Sequence, residues 1–258
     1  MSLGKLSVVV ITKNEAHCIE RCLRSVSFAD EIIVLDSGST DGTLEIAARC
    51  GARVTTSSDW PGFGPQKNRA LGLASGRWVL SIDADEQVDD QLGDAIRMIV
   101  AKDGQGYNGY WVRRTSSFCG QQIRHGDWRG DRVLRLFRRE GSQFSPDLVH
   151  ERVLCPKPHA ELSGWLLHDS VDSMQDAIDK TRRYARIGAI RLRERGRGGL
   201  LSAWTHATWT FLRGYLIRFG FLDGRYGLVI AGLNAWGTYM RYRLAGRPIE
   251  HHHHGDSR

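Results

Sequence analysis

An α/β fold on a mostly parallel central sheet, with helices on both faces and a C-terminal helical appendage, is predicted by three features of this 258-residue sequence. Apolar runs alternate with stretches of helical spacing as far as Val100. The first runs are continuous and rich in β-branched residues, as strands buried on both faces are. Beyond Ser173 the pattern turns helical and basic.

The elements follow in order. LSVVVIT (Leu6 to Thr12) reads as a strand, and Glu15 to Val26 carries helical spacing. EIIVLD (Glu31 to Asp36) runs into the turn SGSTDGT and the helical LEIAARC, and ARVTT (Ala52 to Thr56) is a further short strand. Asn68 to Ala74 is helical. RWVLSI (Arg77 to Ile82) ends in DADE, and Asp89 to Val100 resumes helical spacing. Strands alternating with helices place a ligand in the crevice at the carboxyl ends of the strands. Those ends carry Asn14, Asp36 and Asp83/Asp85. Past residue 105, YWVRR, RVLRLFRR and LVHERV alternate as antiparallel or mixed strands do. Ser173 to Arg195 then reads as a long basic helix with Ser173 as its N-cap.

A net charge of +7, 41% hydrophobic and 25% charged residues exclude a disordered or fibrous chain. Five scattered cysteines and a start without signal-peptide features point to a reduced, cytoplasmic protein. The longest charge-free runs, Leu200 to Leu212 and Tyr226 to Met240, hold 13 and 15 residues, short of the roughly 18 to 20 that a spanning helix needs. The His-rich end PIEHHHHGDSR is set outside the fold.

Asp83-Ala84-Asp85 follows an apolar strand and can share a hard divalent cation with substrate phosphates. The Asp36 turn reads in two ways: Ser39 or Thr40 caps the next helix, or Asp36 and the loop amides hold a nucleotide. Together VVVITKNE, VLDSGSTDGT, QKNRAL and SIDADE, in this order and spacing, closely resemble the inverting family 2 glycosyltransferases over roughly residues 5 to 155.

That resemblance implies a GT-A fold and a UDP-sugar donor. It implies donor contacts from Thr12, Asn14, Glu15, Asp36, Ser37, Asp41, Lys67, Asn68, Asp83 and Ala84, with Asp36 on uracil. It also implies Mg²⁺ or Mn²⁺ on Asp83 and Asp85. His168, after the apolar GWLL, is either a strand-end histidine or a third ligand. The acidic base maps to Glu151 in His150-Glu151, with Asp127 and Asp131 of GDWRGD as rivals; His150 either orients Glu151 or meets substrate. GDWRGDRVLRLFRR, LVHERV and FGFLDGRYGLVIA are similar to the lipopolysaccharide core group that adds β-1,4-glucose to an inner-core heptose.

This divides the chain into a catalytic domain (1–170), a basic, membrane-associating helical appendage (171–247) and a tail (248–258). In the appendage, Arg interleaved with Trp204, Trp209, Phe211, Tyr215, Phe219, Phe221, Trp236 and Tyr239 suits an anionic membrane surface. Without a recognised nucleic-acid module, lipid is preferred to nucleic acid. The expected place is the cytoplasmic side of the bacterial inner membrane, peripherally bound. Competing readings keep the fold but use a polyprenyl phosphate or another cell-surface glycan as acceptor, or drop catalysis for membrane-surface or nucleic-acid binding.

Overall fold

The computed structural model describes residues 5–147, 151–171 and 173–246, the side chain of Ser170 excepted. The chain divides into two compact units, Met1–Ser116 with Gly130–Ser170, and Ser117–Arg129 with Val171–Arg258.

The strands are β1 (Leu6–Thr12), β2 (Glu31–Asp36), β3 (Arg53–Thr56), β4 (Trp78–Asp83), β5 (Glu86–Val88), β6 (Gly109–Phe118), β7 (Gln121–Ile123), β8 (Asp131–Arg138), β9 (Gln143–Phe144), β10 (Val153–Leu154) and β11 (His159–Val171). The α-helices are α1 (Ile19–Ser25), α2 (Thr43–Arg49), α3 (Phe63–Leu73), α4 (Asp90–Ala101), α5 (Met174–Glu194), α6 (Leu200–Leu212) and α7 (Gly224–Ala245).

The main sheet of the first unit runs β3-β2-β1-β4-β8-β6-β11-β5. Its first four strands are parallel, whereas β8 pairs antiparallel with both β4 and β6, and β11 with β5. Every residue of β1 is buried. Alternation then sorts them by face: Val8 and Val10 join the core beneath α1 and α4, while Val9 and Ile11 join a second core with Ala70 and Leu71 of α3, Phe137 and Phe144. The helix α4 starts at Asp89, whose carboxylate accepts from the Leu92 amide at 2.7 Å. Against that turn lies Gly164, at φ +94°, where a Cβ would fall 2.3 Å from the Leu92 nitrogen, so only glycine fits.

Three boundaries differ from expectation. The helical stretch placed at Asn68 begins a turn earlier, at Phe63, directly after Pro61-Gly62, with Gly62 at φ +106°. The helix expected from Glu15 begins at Ile19, because Asn14 to Cys18 are taken up by a turn. Of LVHERV, residues 148–150 lie outside the described residues, and the remainder enters strand only at Val153, in a separate ribbon with β9. The long β11 has no strand signal in the sequence, since its start, HAELSG, carries a glycine and two charge-capable residues within a weak alternation.

In the second unit Ser173 caps α5, accepting from the Asp176 amide at 3.1 Å. The helices α5 and α6 both pack on α7, through small side chains that include Ala177, Ala185, Ala189, Ala203, Ala207 and Ala231. A five-residue π turn, Arg213–Ile217, follows α6. Among the described residues no helix is long and apolar enough to cross a membrane. All five cysteines are free thiols.

Candidate active site

Parallel register sets the polar strand ends side by side. Thr12 stands opposite Asp36, and Ile11 opposite Asp83, so β1, β2 and β4 open onto one edge of the sheet, where an open α/β sheet leaves its ligand crevice.

The first two loops are stitched together. Asn14 adopts φ +56°, which asparagine tolerates better than most residues. Its amide donates to Ser39 Oγ at 2.8 Å, and its side-chain oxygen accepts from the Thr40 amide at 2.8 Å. The Glu15 amide donates to Thr43 Oγ1 at 2.9 Å, and Asp41 accepts from the amides of Ala16 and Thr43, each at 3.1 Å. Neither Ser39 nor Thr40 caps α2, whose N-cap is Gly42; their donors are spent on Asp36 and Asn14. Asp36 is fully buried, accepting from the amides of Gly38 and Ser39 at 2.8 and 2.9 Å and from the Ser39 hydroxyl. Its carboxylate therefore braces the loop and turns no oxygen to solvent, so a nucleobase at this end would meet the loop that Asp36 shapes. Gln66 donates to Ser37 Oγ at 3.0 Å, and the buried Thr12 hydroxyl has no partner among the described residues.

The Asp83-to-Glu86 turn carries most of the charge. Lys67 Nζ lies 2.8 Å from Asp83 Oδ1 and 2.6 Å from Glu151 Oε1, so one buried ammonium joins both carboxylates. Arg135 Nη2 reaches Asp83 Oδ2 at 2.7 Å and Glu86 Oε1 at 2.6 Å. Glu86 also accepts from the Asp83 amide at 2.9 Å and from Arg114 at 3.3 Å. The buried charges of Lys67, Arg135 and Glu86 persist because each is paired. Burial opposes ionisation of Asp83, but Arg135 and Lys67 outweigh it and hold the carboxyl well below the usual range.

Asp85 points to a different partner. The antiparallel register of β11 on β5 sets His168 opposite Glu86, and His168 Nε2 comes within 3.1 Å of Asp85 Oδ2. Burial disfavours the imidazolium; the hydrogen bond and charge of Asp85 prevail and raise His168 above its ordinary value. That spacing is the hydrogen bond's own and is also the separation of two neighbouring ligands on one six-coordinate cation with bonds of about 2.1 Å. To hold such an ion His168 would give up the proton it shares with Asp85, and Asp83, both of whose oxygens are engaged by Lys67 and Arg135, would have to release one.

The other expected residues stand apart from this cluster. Asn68 is spent on β9, donating to the Phe144 carbonyl at 2.9 Å and accepting its amide at 2.8 Å. The Ala84 side chain is buried in the core. Asp131 is held by Arg114 at 2.9 and 3.0 Å. Asp127 belongs to the helical unit, where Arg213 and Arg218 bind it at 3.2 and 2.6 Å. His150 lies outside the described residues.

Sequence reasoning missed Glu86, Arg135, Arg114 and Gln66. Arg135 left a signal, since a cation between two leucines in RVLRLFRR, all of Leu134 to Phe137 being buried, demands a buried acid.

Comparison with known proteins identifies the family of the chain. The family described as Glycosyl transferase family 2 matches residues 7–156. An uncharacterised glycosyltransferase of Rickettsia typhi is 30% identical over 93% of this chain and 86% of its own. The lipopolysaccharide core biosynthesis glycosyltransferase LpsC of Rhizobium meliloti is 29% identical over 94% of this chain and 95% of its own. Among solved structures, S. aureus TarS 1-349 in complex with UDP-GlcNAc aligns with a TM-score of 0.48 at 17% identity, covering 73% of this chain and 66% of that one.

Proposed function

We propose, from the premise that this chain belongs to glycosyl transferase family 2, that it is a metal-dependent inverting enzyme moving glucose from UDP-glucose to an inner-core heptose of lipopolysaccharide. The observation that carries the chemistry is the pair of carboxylates, Glu151 and Asp83, joined through Lys67 beside Asp85 and His168. The resemblance of its motifs to the core glucosyltransferases supports the donor and acceptor, and similarity to LpsC along nearly the whole of both chains supports an acceptor in the lipopolysaccharide core.

Inversion is one displacement. The acceptor oxygen forms its bond to the anomeric carbon as the bond from that carbon to UDP breaks, its electrons staying on the diphosphate. The acceptor hydroxyl proton passes to Glu151, which Lys67 fixes in place. Asp85 and His168, with Asp83 once one of its oxygens is released, would hold Mg²⁺ or Mn²⁺. That ion would supply charge stabilisation to the departing diphosphate. The Asn14, Asp36, Ser37 and Asp41 loops would shape the nucleotide end, with Thr12 offering its unspent hydroxyl. Glu15 ties two of those loops together through its amide on Thr43.

Membrane attachment through the helical unit completes the reading, on the cytoplasmic side of the inner membrane. Leu201, Trp204, Trp209, Phe219 and Leu222 are each more than half exposed, and Arg213, Arg218 and Arg225 punctuate the same stretch. Such a mixture favours the headgroup region of anionic lipid.

The experiment is an assay of a nucleotide-sugar panel against heptose-terminated lipopolysaccharide, with and without a chelator. UDP-glucose should give a β-linked product only when Mg²⁺ or Mn²⁺ is present. An α-linked product overturns inversion, chelator-resistant turnover overturns the metal, and preference for another donor overturns glucose.

A further inference from the structure

The helical unit holds a cavity of about 530 Å³ that the transfer reaction leaves without a task. Its charged lining comes from three arginines and one acid. Arg213 and Arg218 share the single carboxylate of Asp127, and among the described residues Arg241 bonds the Thr238 hydroxyl, at 3.3 Å. Three guanidinium groups against one carboxylate leave the wall with an excess of two positive charges.

The donors are also unspent. The Nε atoms of Arg213 and Arg241 are buried and without hydrogen-bond partners among the described residues, a state that costs about 1–3 kcal/mol for each buried polar group, more for charged ones. Arg213, Arg218 and Arg241 all line the cavity, and the guanidinium N–H groups that their bonds to Asp127 and Thr238 leave over suit an acceptor with several anionic oxygens. Guanidinium donors match phosphate in charge and geometry. The rest of the lining mixes polar side chains, Asn234 and Thr238 among them, with aromatic ones: Trp209 contributes one wall, and Tyr242 another, stiffened by His206 stacked on it at 4.2 Å and 15°. A cavity of this volume admits much more than a bare ion, so the aromatic walls would cover whatever carries the charged group.

We infer that this cavity is a phosphate-binding site, set by Arg213, Arg218 and Arg241, for a phosphate monoester carried on a larger amphiphilic or sugar-like body. The site uses none of the residues assigned to sugar transfer, so it stands or falls separately from that assignment.

The test uses the full chain with UDP and Mg²⁺ saturating, so that donor-site phosphate binding is already satisfied. Inorganic phosphate is titrated calorimetrically, and in parallel the protein is sedimented with phosphatidylcholine vesicles with and without phosphatidic acid. Arg241→Gln and Arg241→Lys are compared with the parent, because Lys keeps the charge and loses the planar donors. Saturable phosphate binding weakened at least tenfold in both variants, with UDP-glucose hydrolysis unchanged, supports a site for free phosphate esters. Retention only on phosphatidic acid vesicles, lost in both variants, supports a lipid headgroup as source. Binding that neither variant alters, absence of binding to either probe, or retention of single-stranded oligonucleotides alone overturns the site. Should Arg241→Gln unfold, Arg241→Lys and Thr238→Val carry the same comparison.

Discussion

Trp78 and Trp204 show the two units using one side chain in opposite ways. Trp78 is 0% exposed, closes the core at the start of β4 and donates to Asp103 at 3.3 Å. Trp204 is 60% exposed, its ring meeting Tyr239 at 5.0 Å. Charge follows the same division. In the sheet unit Lys67, Arg135, Glu86 and Asp83 close on one another, whereas in the helical unit many arginines of α5 stand in solvent. Pairing and burial, then, separate residues kept for chemistry from residues kept for a surface, and each prediction tests one side of that division.

The largest effect is expected at Asp85. Asp85→Ala removes one member of the Asp85–His168 pair and should take transfer below detection while leaving the fold intact, since Asp85's backbone carbonyl still receives the Asp169 amide. Measurable turnover near the parent rate would move the metal away from this pair. Next comes Glu151→Gln, for which kcat should fall about 10² to 10⁴-fold, the usual worth of a positioned base, with donor KM nearly unchanged. If Asp131→Asn or Asp127→Asn shows that signature instead, the proton acceptor is elsewhere.

These two residues also show how much was legible beforehand. The strands β1, β2 and β4 announce themselves as continuous apolar runs, and the acids following them mark the crevice. Asp85 was marked by the acidic pair that ends an apolar strand and Glu151 by motif resemblance, whereas nothing in local spacing says that residue 168 will stand beside residue 85. That contact depends on β11, a strand whose alternation is too weak to read. Glu86 looked like the tail of an acidic turn, yet it is fully buried, since Arg135 and Arg114 arrive from strands far along the chain. Asp127 looked like an active-site rival because its partners, Arg213 and Arg218, lie more than eighty residues away. Local periodicity reports which face is apolar and says nothing of which distant charge will neutralise a buried one.

A smaller but sharper contrast comes from the tryptophans themselves. Trp78→Ala should cost roughly 3–5 kcal/mol in denaturant unfolding, as large aromatic truncations in a core do, whereas Trp204→Ala should fall within about 0.5 kcal/mol of the parent. On vesicles the order should reverse. Trp204→Ala should weaken sedimentation with anionic liposomes, an interaction that salt should reduce in the parent, and Trp78→Phe, which keeps the core filled, should not. Equal binding to neutral and anionic vesicles would leave the exposed apolar residues without the role proposed for them.

The smallest effect concerns Glu31, which shows the sheet unit's pairing at a site remote from the acids of the β4–β5 turn. Burial opposes its ionisation, but the Ser7 hydroxyl and then the amide and hydroxyl of Ser75 and the Gly76 amide outweigh it, drawing the pKa from 4.5 down to about 2. The Ser75 contacts are 2.6 and 2.8 Å and that from Gly76 is 3.2 Å. A carboxyl whose folded pKa lies below its unfolded one contributes stability that is fully present above the unfolded value and is lost as pH falls toward the folded value. Between about pH 4.5 and pH 2 the unfolded chain therefore binds one more proton at this position than the folded chain does, and folding weakens across that window. Glu31→Gln removes the titration while keeping the shape, so it should be less stable than the parent at pH 7 and should lose stability less steeply on acidification. Parallel stability–pH curves for the two proteins would mean that the four hydrogen bonds hold Glu31 no more tightly folded than unfolded.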